Sequence, residues 1–186
     1  FQNIHSRDGL DDNGGKVRVF ASTTDAPGAW YDQLGIGTAL GLDRLYAGYY
    51  GDGVYTGEIS VMAHEFTHGV DHREGKLFAT NESGALDESF ADIFGFLVRR
   101  FATGSESWEI GVPTTLPRNR RNLQFPKTIG IHYDITYTGG VPTSVSEGSG
   151  QPDTYEGEFW HPYMDEGTDL GGVHTNSGVQ NHWFFI

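Results

Sequence analysis

The chain contains the stretch His64-Glu65-Phe66-Thr67-His68, and this H-E-x-x-H motif decides how the rest of the sequence is interpreted. On a helix, residues four positions apart lie one above the other, so the two histidines can share one metal ion. Glu65 then lies close enough to contact a metal-bound water. The alternative, two surface histidines and a solvated glutamate, stays open on the motif alone.

A zinc site needs a third protein ligand and an open fourth position. A histidine six residues after His68 would supply that ligand, but the position is Glu74. The other solution is a glutamate on a second helix, and Glu88 follows His68 by twenty residues, with Asp92 one turn later. Burying carboxylates on an otherwise apolar helix is costly unless they are paired or bind a metal. The sequence therefore favours a metal site.

Three other histidines need an interpretation. His72 lies one turn beyond His68 and could imitate a ligand, but we interpret it as a cation at a helix C-terminus, which the helix dipole favours. His132 and His161 lie in stretches that the pattern assigns to loops, and we interpret them as bystanders.

Composition excludes several classes of protein. The chain has 186 residues with 12 Lys+Arg and 25 Asp+Glu, a net charge of −13, which disfavours nucleic-acid and anionic-membrane binding. It has no cysteine, so disulfides, thiolate zinc sites and cysteine nucleophiles are excluded. No apolar run approaches the roughly 20 residues of a membrane helix. Any metal must be bound by His, Asp or Glu.

Hydrophobic periodicity divides the chain into four parts and predicts an α+β fold. Residues 1–57 are β-rich, residues 58–102 form two helices, residues 103–172 are loop-rich, and residues 173–186 begin a further helix. Finer predictions are a strand at 16–21, a short helix at 38–46 and a last helix that starts near Asn176 or Ser177. The second helix is predicted to bury an apolar face of Leu86, Phe90, Ile93, Phe94, Leu97 and Phe101.

The sequence resembles the thermolysin family of zinc metallopeptidases. The resemblance rests on the H-E-x-x-H motif and on residues 81–95, which read Asn-Glu-Ser-Gly-Ala-Leu-Asp-Glu-Ser-Phe-Ala-Asp-Ile-Phe-Gly. Residues 108–111 (Trp-Glu-Ile-Gly) and 171–178 (Gly-Gly-Val-His-Thr-Asn-Ser-Gly) continue it. It implies a zincin-type α+β fold in which residues 1–57 belong to the catalytic domain and residues 173–186 open a truncated helical subdomain.

The resemblance implies a role for each matching residue. His64, His68 and Glu88 would bind Zn²⁺, and Glu65 would take a proton from the attacking water and pass it to the leaving amine. The remaining roles are implied in the same way: His174 as oxyanion donor oriented by Asp169, Asp92 and Asp87 as partners of the zinc histidines, Arg121 on the substrate carbonyl, Val61 and Ile110 in an apolar pocket, and Ala29 on a substrate-binding edge strand.

The chain also departs from the family pattern. Ala79 replaces a tyrosine that would be a second oxyanion donor, and Gly28-Ala29-Trp30-Tyr31 matches the edge strand weakly. The stretch 138–169 is long and is expected to cover or narrow the cleft. The positions of the family's double calcium site read Ser60, Arg99, Ser107, Glu109 and Val112, so we expect no calcium there and an Arg99–Glu109 ion pair instead.

The resemblance implies a secreted, zinc-dependent endopeptidase that cleaves protein or peptide substrates before a large apolar residue. The alternative is a zinc-binding relative with weak or no activity that acts as a binding or structural module. A third reading is an acidic carbohydrate- or partner-binding domain with a chance motif. Phe1 and the apolar end at 183–186 suggest a processed or cut chain, and that end is expected to promote association.

Overall fold

The structure is a computed structural model that describes residues 8–9, 12–14, 17–21, 29–31, 43–47, 49–50, 53–54, 58–111, 120–162 and 167–186. Within these ranges the chain has the predicted α+β fold, with short strands before and between three helices. The strands are β1 Val17–Ala21, β2 Ala29–Tyr31, β3 Asp43–Ala47, β4 Tyr49–Tyr50, β5 Gly53–Val54, β6 Glu109–Ile110, β7 Arg121–Asn122, β8 Ile131–Thr138 and β9 Val141–Ser149. The helices are α1 Ile59–Glu74, α2 Asn81–Thr103 and α3 Asp169–Phe185, and Pro126–Thr128 forms one 3-10 turn.

The N-terminal sheet has the strand order β1-β3-β2, with β1 parallel and β2 antiparallel to the central strand β3. The helix predicted at 38–46 is therefore wrong for residues 43–46, which lie in β3, whereas residues 38–42 lie outside the described residues. Strand pairing on both sides of β3 outweighs the leucine spacing that suggested a helix. The buried Leu45 of β3 packs with partly buried apolar residues of the sheet and of α1: Val17, Ala29, Val61, Met62 and Phe66.

Helices α1 and α2 pack closely against each other. The Glu58 side chain caps α1 by accepting a hydrogen bond from the Val61 backbone N–H at 2.8 Å. At the crossing, a Cβ added to Gly95 would lie 2.6 Å from the Ser60 carbonyl oxygen, so only glycine fits. This close approach brings the histidines of α1 next to the carboxylates of α2.

The predicted apolar face of α2 is not the face that it buries. Of its six residues only Ile93 is buried, whereas the exposed fractions of the other five run from 39% to 86%. The buried face instead carries small and charged residues, including Asp87, Glu88, Asp92 and Arg99. The polar face is buried because its side chains pair with groups on α1, β7 and α3.

The region predicted to be loop-rich contains a long β-hairpin. Strands β8 and β9 pair antiparallel, with a register shift between Thr136 and Tyr137. Strand β9 is mostly exposed, and an exposed edge strand tolerates residues such as Pro142 and Gly148 that weaken the sequence signal for a strand. His132, predicted to lie in a loop, is a buried residue of β8.

Helix α3 begins earlier than predicted and through an unusual turn. Asp169, Leu170, Gly171 and Gly172 all have positive φ, between 51° and 84°, before the chain becomes right-handed. The far end of α3 reaches the main apolar cluster, where Phe184 packs against Ile93, Phe96, Ile110 and Leu123. None of the described helices is long and apolar enough to cross a membrane.

Candidate metal centre

Two histidines of α1 and one glutamate of α2 direct their side chains to a common point. The Nε2 atoms of His64 and His68 lie 3.0 Å apart. The Glu88 carboxylate faces both, with Oε2 3.3 Å from His64 Nε2 and Oε1 3.5 Å from His68 Nε2. Histidine and carboxylate atoms of this trio lie within 4.8 Å of one another, which suits a single metal ion.

The other nitrogen of each histidine is occupied by a carboxylate. His64 Nδ1 lies 2.8 Å from Asp92 Oδ1, and His68 Nδ1 lies 2.9 Å from Asp87 Oδ2. His68 Nδ1 therefore directs its proton to Asp87, and His64 Nδ1 lies within contact distance of Asp92, which leaves the Nε2 atoms facing each other and Glu88. Acceptor atoms so arranged repel one another unless a cation or extra protons lie between them, and a His₂Glu set is one that Zn²⁺ prefers. The residues fit the metal that the resemblance implies.

Charges around the trio are strongly coupled. Burial by itself would lower the pKa of His64, but Asp92 and Glu88 outweigh it and raise that pKa to about 10. Burial would raise the pKa of Glu88, but His174, His68 and His64 hold it well below its ordinary range. In the metal-free protein the site consequently holds a proton on His64 and a charge on Glu88, and a metal ion must displace that proton.

Glu65 is buried beside the trio and lines the same cavity. Burial is the largest influence on its carboxyl and raises the pKa of Glu65 above the ordinary value, although His64 and His68 act in the opposite direction. A carboxylate with a raised pKa accepts a proton more readily than an ordinary one, which suits a general base.

His174 approaches the trio from α3. Its Nδ1 lies 2.6 Å from Asp169 Oδ1, and its Nε2 lies 3.4 Å from Glu88 Oε1. The second oxygen of Asp169 accepts the backbone N–H groups of His174 and Thr175, at 3.0 and 3.1 Å. Burial would lower the pKa of His174, but Glu88 and Asp169 raise it to about 9, so at neutral pH both ring nitrogens carry a proton. Nε2–H is then a donor at the edge of the site.

A cavity of about 210 Å³ opens in front of these groups. Ala29 and Tyr31 of the edge strand β2 form one wall, and Ala79 contributes a methyl group. No described residue of the stretch 138–169, which was expected to narrow the cleft, lines this cavity. Its lining is completed by His64, Glu65, His68, Gly84, Asp87, Glu88, Leu170, Val173 and His174.

Of the three apolar residues expected to bind substrate, only one lines the cavity. Ala29 lines the cavity, whereas Val61 packs on the Leu45 cluster and Ile110 lies in the cluster around Phe96. Arg121 is buried and donates two hydrogen bonds to Asp92, Nε to Oδ2 and Nη2 to Oδ1, both at 2.7 Å. In this structure Arg121 thus contacts the carboxylate that lies beside His64.

The sequence did not predict two buried polar residues that connect to Asp92 on its side away from the cavity. Asn181 of α3 donates to Asp92 Oδ2 at 2.8 Å, and Ser89 of α2 donates to Asn181 Oδ1 at 2.8 Å. The sequence gives little signal for Asn181, which follows His174 by seven residues and lies between the polar residues Gln180 and His182. His72, the alternative ligand considered above, is exposed at the end of α1.

The positions that correspond to the family's calcium site hold a different network. The expected pair between Arg99 and Glu109 is wrong, because Glu109 pairs with Arg120. Arg99 Nη2 donates instead to the Ser107 carbonyl oxygen at 2.6 Å.

Comparison with known proteins agrees with this geometry. The family described as thermolysin metallopeptidase, alpha-helical domain, matches residues 76–186. Bacillolysin of Brevibacillus brevis is 32% identical over 97% of this chain, and thermolysin of Alicyclobacillus acidocaldarius is 31% identical over 97%. This chain covers 28% of the length of each of these two relatives.

The fold has a solved counterpart. The precursor of protealysin, a metalloproteinase from Serratia proteamaculans, superposes with a TM-score of 0.72 at 24% identity, over 100% of this chain and 53% of that one. The family match covers more than half of this chain and includes α2 and α3, which carry Glu88 and His174, whereas α1 with His64 and His68 precedes it. The chain belongs to the thermolysin family of metallopeptidases.

Proposed function

We propose that this chain is the core of a zinc-dependent endopeptidase. The observation that carries the proposal is the convergence of His64 Nε2, His68 Nε2 and the Glu88 carboxylate at the wall of an open cavity that Glu65 and His174 also line. The site residues are proposed in the roles that the resemblance implies. When bound, Zn²⁺ supplies a Lewis acid that polarises the scissile carbonyl and makes a water molecule more acidic.

The residues of the chain supply the proton transfers. Glu65 accepts a proton from the attacking water, and its raised pKa favours that step. The same carboxyl group then delivers the proton to the leaving amine. His174 donates its Nε2–H to the carbonyl oxygen as negative charge develops there, while Asp169 holds the ring by Nδ1. The edge strand β2 offers its backbone to an extended substrate.

The test replaces the proposed base and keeps the proposed ligands. Glu65→Gln should bind one zinc ion per chain and lose peptide hydrolysis, and a chelator should abolish hydrolysis by the unaltered chain. Glu74→Gln, at an exposed glutamate of the same helix, is the matched control and should keep both properties. Full activity of Glu65→Gln would rule out Glu65 as the base, and loss of zinc from it would make Glu65 a ligand.

Ala79 favours a second candidate, a zinc-binding relative with weak or no activity. This residue lines the cavity, and its side chain has no hydrogen-bond donor. Loss of one oxyanion donor costs about 10²–10³ in turnover. If this candidate is right, Ala79→Tyr should raise turnover substantially without changing the zinc content. An unaltered chain with high turnover that Ala79→Tyr does not increase would reject it.

Substrate preference and location complete the proposal. A preference for a large apolar residue after the scissile bond is supported by the resemblance, and it is tested by comparing peptides with leucine or aspartate at that position. Equal cleavage of the two peptides would contradict it. Action outside the cell is likewise supported by the resemblance, and detection of the protein in cell-free culture medium is the corresponding measurement.

A further inference from the structure

The Asp92 carboxylate is the most completely enclosed group of the metal centre, with an exposed fraction of 0%. Each of its oxygens has two partners. Oδ1 lies 2.8 Å from His64 Nδ1 and 2.7 Å from Arg121 Nη2. Oδ2 accepts from Arg121 Nε at 2.7 Å and from Asn181 Nδ2 at 2.8 Å. Three elements, α1, β7 and α3, thus fix one side chain of α2.

The amide of Asn181 has only one orientation that satisfies its surroundings. Ser89 Oγ donates to Asn181 Oδ1 at 2.8 Å, which places the amide nitrogen towards Asp92. In the flipped orientation the amide oxygen would face a carboxylate oxygen, and two acceptors would be in contact. Both Ser89 and Asn181 are buried, at 0% and 1% exposure, so water cannot replace the lost bonds without a rearrangement.

We propose that Asn181 is a positioning residue of the metal centre, which holds Asp92 so that His64 keeps its Nδ1 proton directed at Asp92 and its Nε2 lone pair directed at the metal. Without Asn181, Arg121 is the one remaining partner described for Asp92 Oδ2. The carboxylate is then held less firmly against rotation about its Cβ–Cγ bond. This inference rests on the proposed zinc site.

Asn176 provides a matched control on the same helix. It is also a buried asparagine, 3% exposed, and both ends of its amide are bonded, since Nδ2 donates to the His161 carbonyl and Oδ1 accepts the His161 N–H. These bonds join α3 to the segment around His161 and do not reach Asp92. Loss of either asparagine removes two buried hydrogen bonds, but of the two only Asn181 bonds to Asp92, the residue beside the proposed ligand His64.

The experiment measures zinc affinity by competition with a chelator in the 186-residue chain and in the variants Asn181→Leu, Asn176→Leu and Ser89→Ala. Removing the partner of a metal ligand typically weakens binding 10- to 100-fold. Asn181 contacts the partner of His64 and not His64 itself, so we expect Asn181→Leu to lower zinc affinity about tenfold. Ser89→Ala should lower zinc affinity less, and Asn176→Leu should leave it unchanged. In ¹⁵N NMR spectra the His64 Nδ1 proton should exchange faster with water in Asn181→Leu and remain unchanged in Asn176→Leu.

The outcomes separate this inference from the proposed function. If the unaltered chain binds no zinc, the proposed function fails. If the chain binds zinc and Asn181→Leu binds it equally well, or Asn176→Leu loses as much affinity, the positioning role fails. Should Asn181→Leu not fold, Ser89→Ala decides by itself, because wild-type zinc affinity and an unchanged His64 proton in that variant would overturn the inference.

Discussion

The two faces of helix α2 depart from the usual arrangement, because charged side chains are buried beside Ile93 and Phe96 while other phenylalanines are exposed. One face buries Asp87, Glu88 and Asp92 together with Arg99, while the opposite face exposes phenylalanines at positions 90, 94 and 101. The difference teaches that partners decide which face is buried. The carboxylates are compensated by His64, His68 and Arg121, and an uncompensated charge could not be buried at an acceptable cost.

The largest expected effect comes from one residue type placed on opposite sides of α2. Phe96 is 1% exposed and stacks on Trp108, with ring centroids 4.4 Å apart, whereas Phe94 is 46% exposed. Phe96→Ala should lower the free energy of unfolding by about 3–5 kcal/mol, the usual cost of emptying a phenylalanine site in a core. Phe94→Ala should cost less than about 1 kcal/mol. Urea unfolding measures both, and equal losses would show that the two faces are buried alike in solution.

Zinc affinity gives the second comparison, between two glutamates of the same helix. Glu88→Ala removes the only anionic member of the trio, so affinity should fall by more than the roughly 100-fold that loss of an outer partner can cause. Glu82→Ala, at an exposed position, should leave affinity unchanged. Competition with a fluorescent chelator measures this; similar affinities in the two variants would place the third ligand elsewhere, with His72 as the first alternative.

A pH dependence in the metal-free protein should show that the buried face of α2 is paired with a charged histidine of α1. The pKa of His64 is raised from 6.5 to about 10, with burial opposing and Asp92 and Glu88 favouring the shift. Because the folded-state pKa is the higher one, the stabilisation is fully present below pH 6.5 and is lost as the pH rises through about 10.

Unfolding free energies measured across that range, with zinc removed, test the sign. His64→Gln should reduce the slope in this window, to which His174 also contributes because its pKa is raised to about 9, and His72→Gln, at the exposed histidine of α1, should leave it unchanged. A metal-free chain whose stability increases with pH over the same interval would contradict the assignment.

Calcium should have the smallest effect, because the last charged residue of the buried face is a cation. Arg99 donates to the Ser107 carbonyl, and Arg120 occupies the Glu109 carboxylate. A ligand present at 100 times its Kd raises the free energy of unfolding by about 2.7 kcal/mol. We expect calcium, added at saturating zinc, to raise it by less than this amount. Thermal melts measure it, and a large stabilisation that Glu109→Gln removes would restore the calcium site.

The sequence predicted that His64, His68 and Glu88 converge, because helical spacing places the two histidines together and burying a carboxylate is costly without such partners. It could not predict which face of α2 is buried, since that depends on partners such as Arg121 and Asn181 that are distant along the chain. The strand at 43–47 was missed for the same reason, because its pairing partners decide its conformation. The β8–β9 hairpin was missed because an exposed strand carries little hydrophobic alternation.

The left-handed turn at 169–172 fixes the angular phase of helix α3. A Cβ added to Gly171 would lie 2.2 Å from the Asn81 side chain, and one added to Gly172 would lie 2.5 Å from His161, so both positions are closed to larger residues. Each residue of a helix turns it by about 100°, so His174 and Asn181, seven residues apart, share one azimuth to within about 20°. Deleting a single residue from this turn would rotate both His174, the proposed oxyanion donor, and Asn181, the partner of Asp92, away from the candidate metal centre, without altering either side chain.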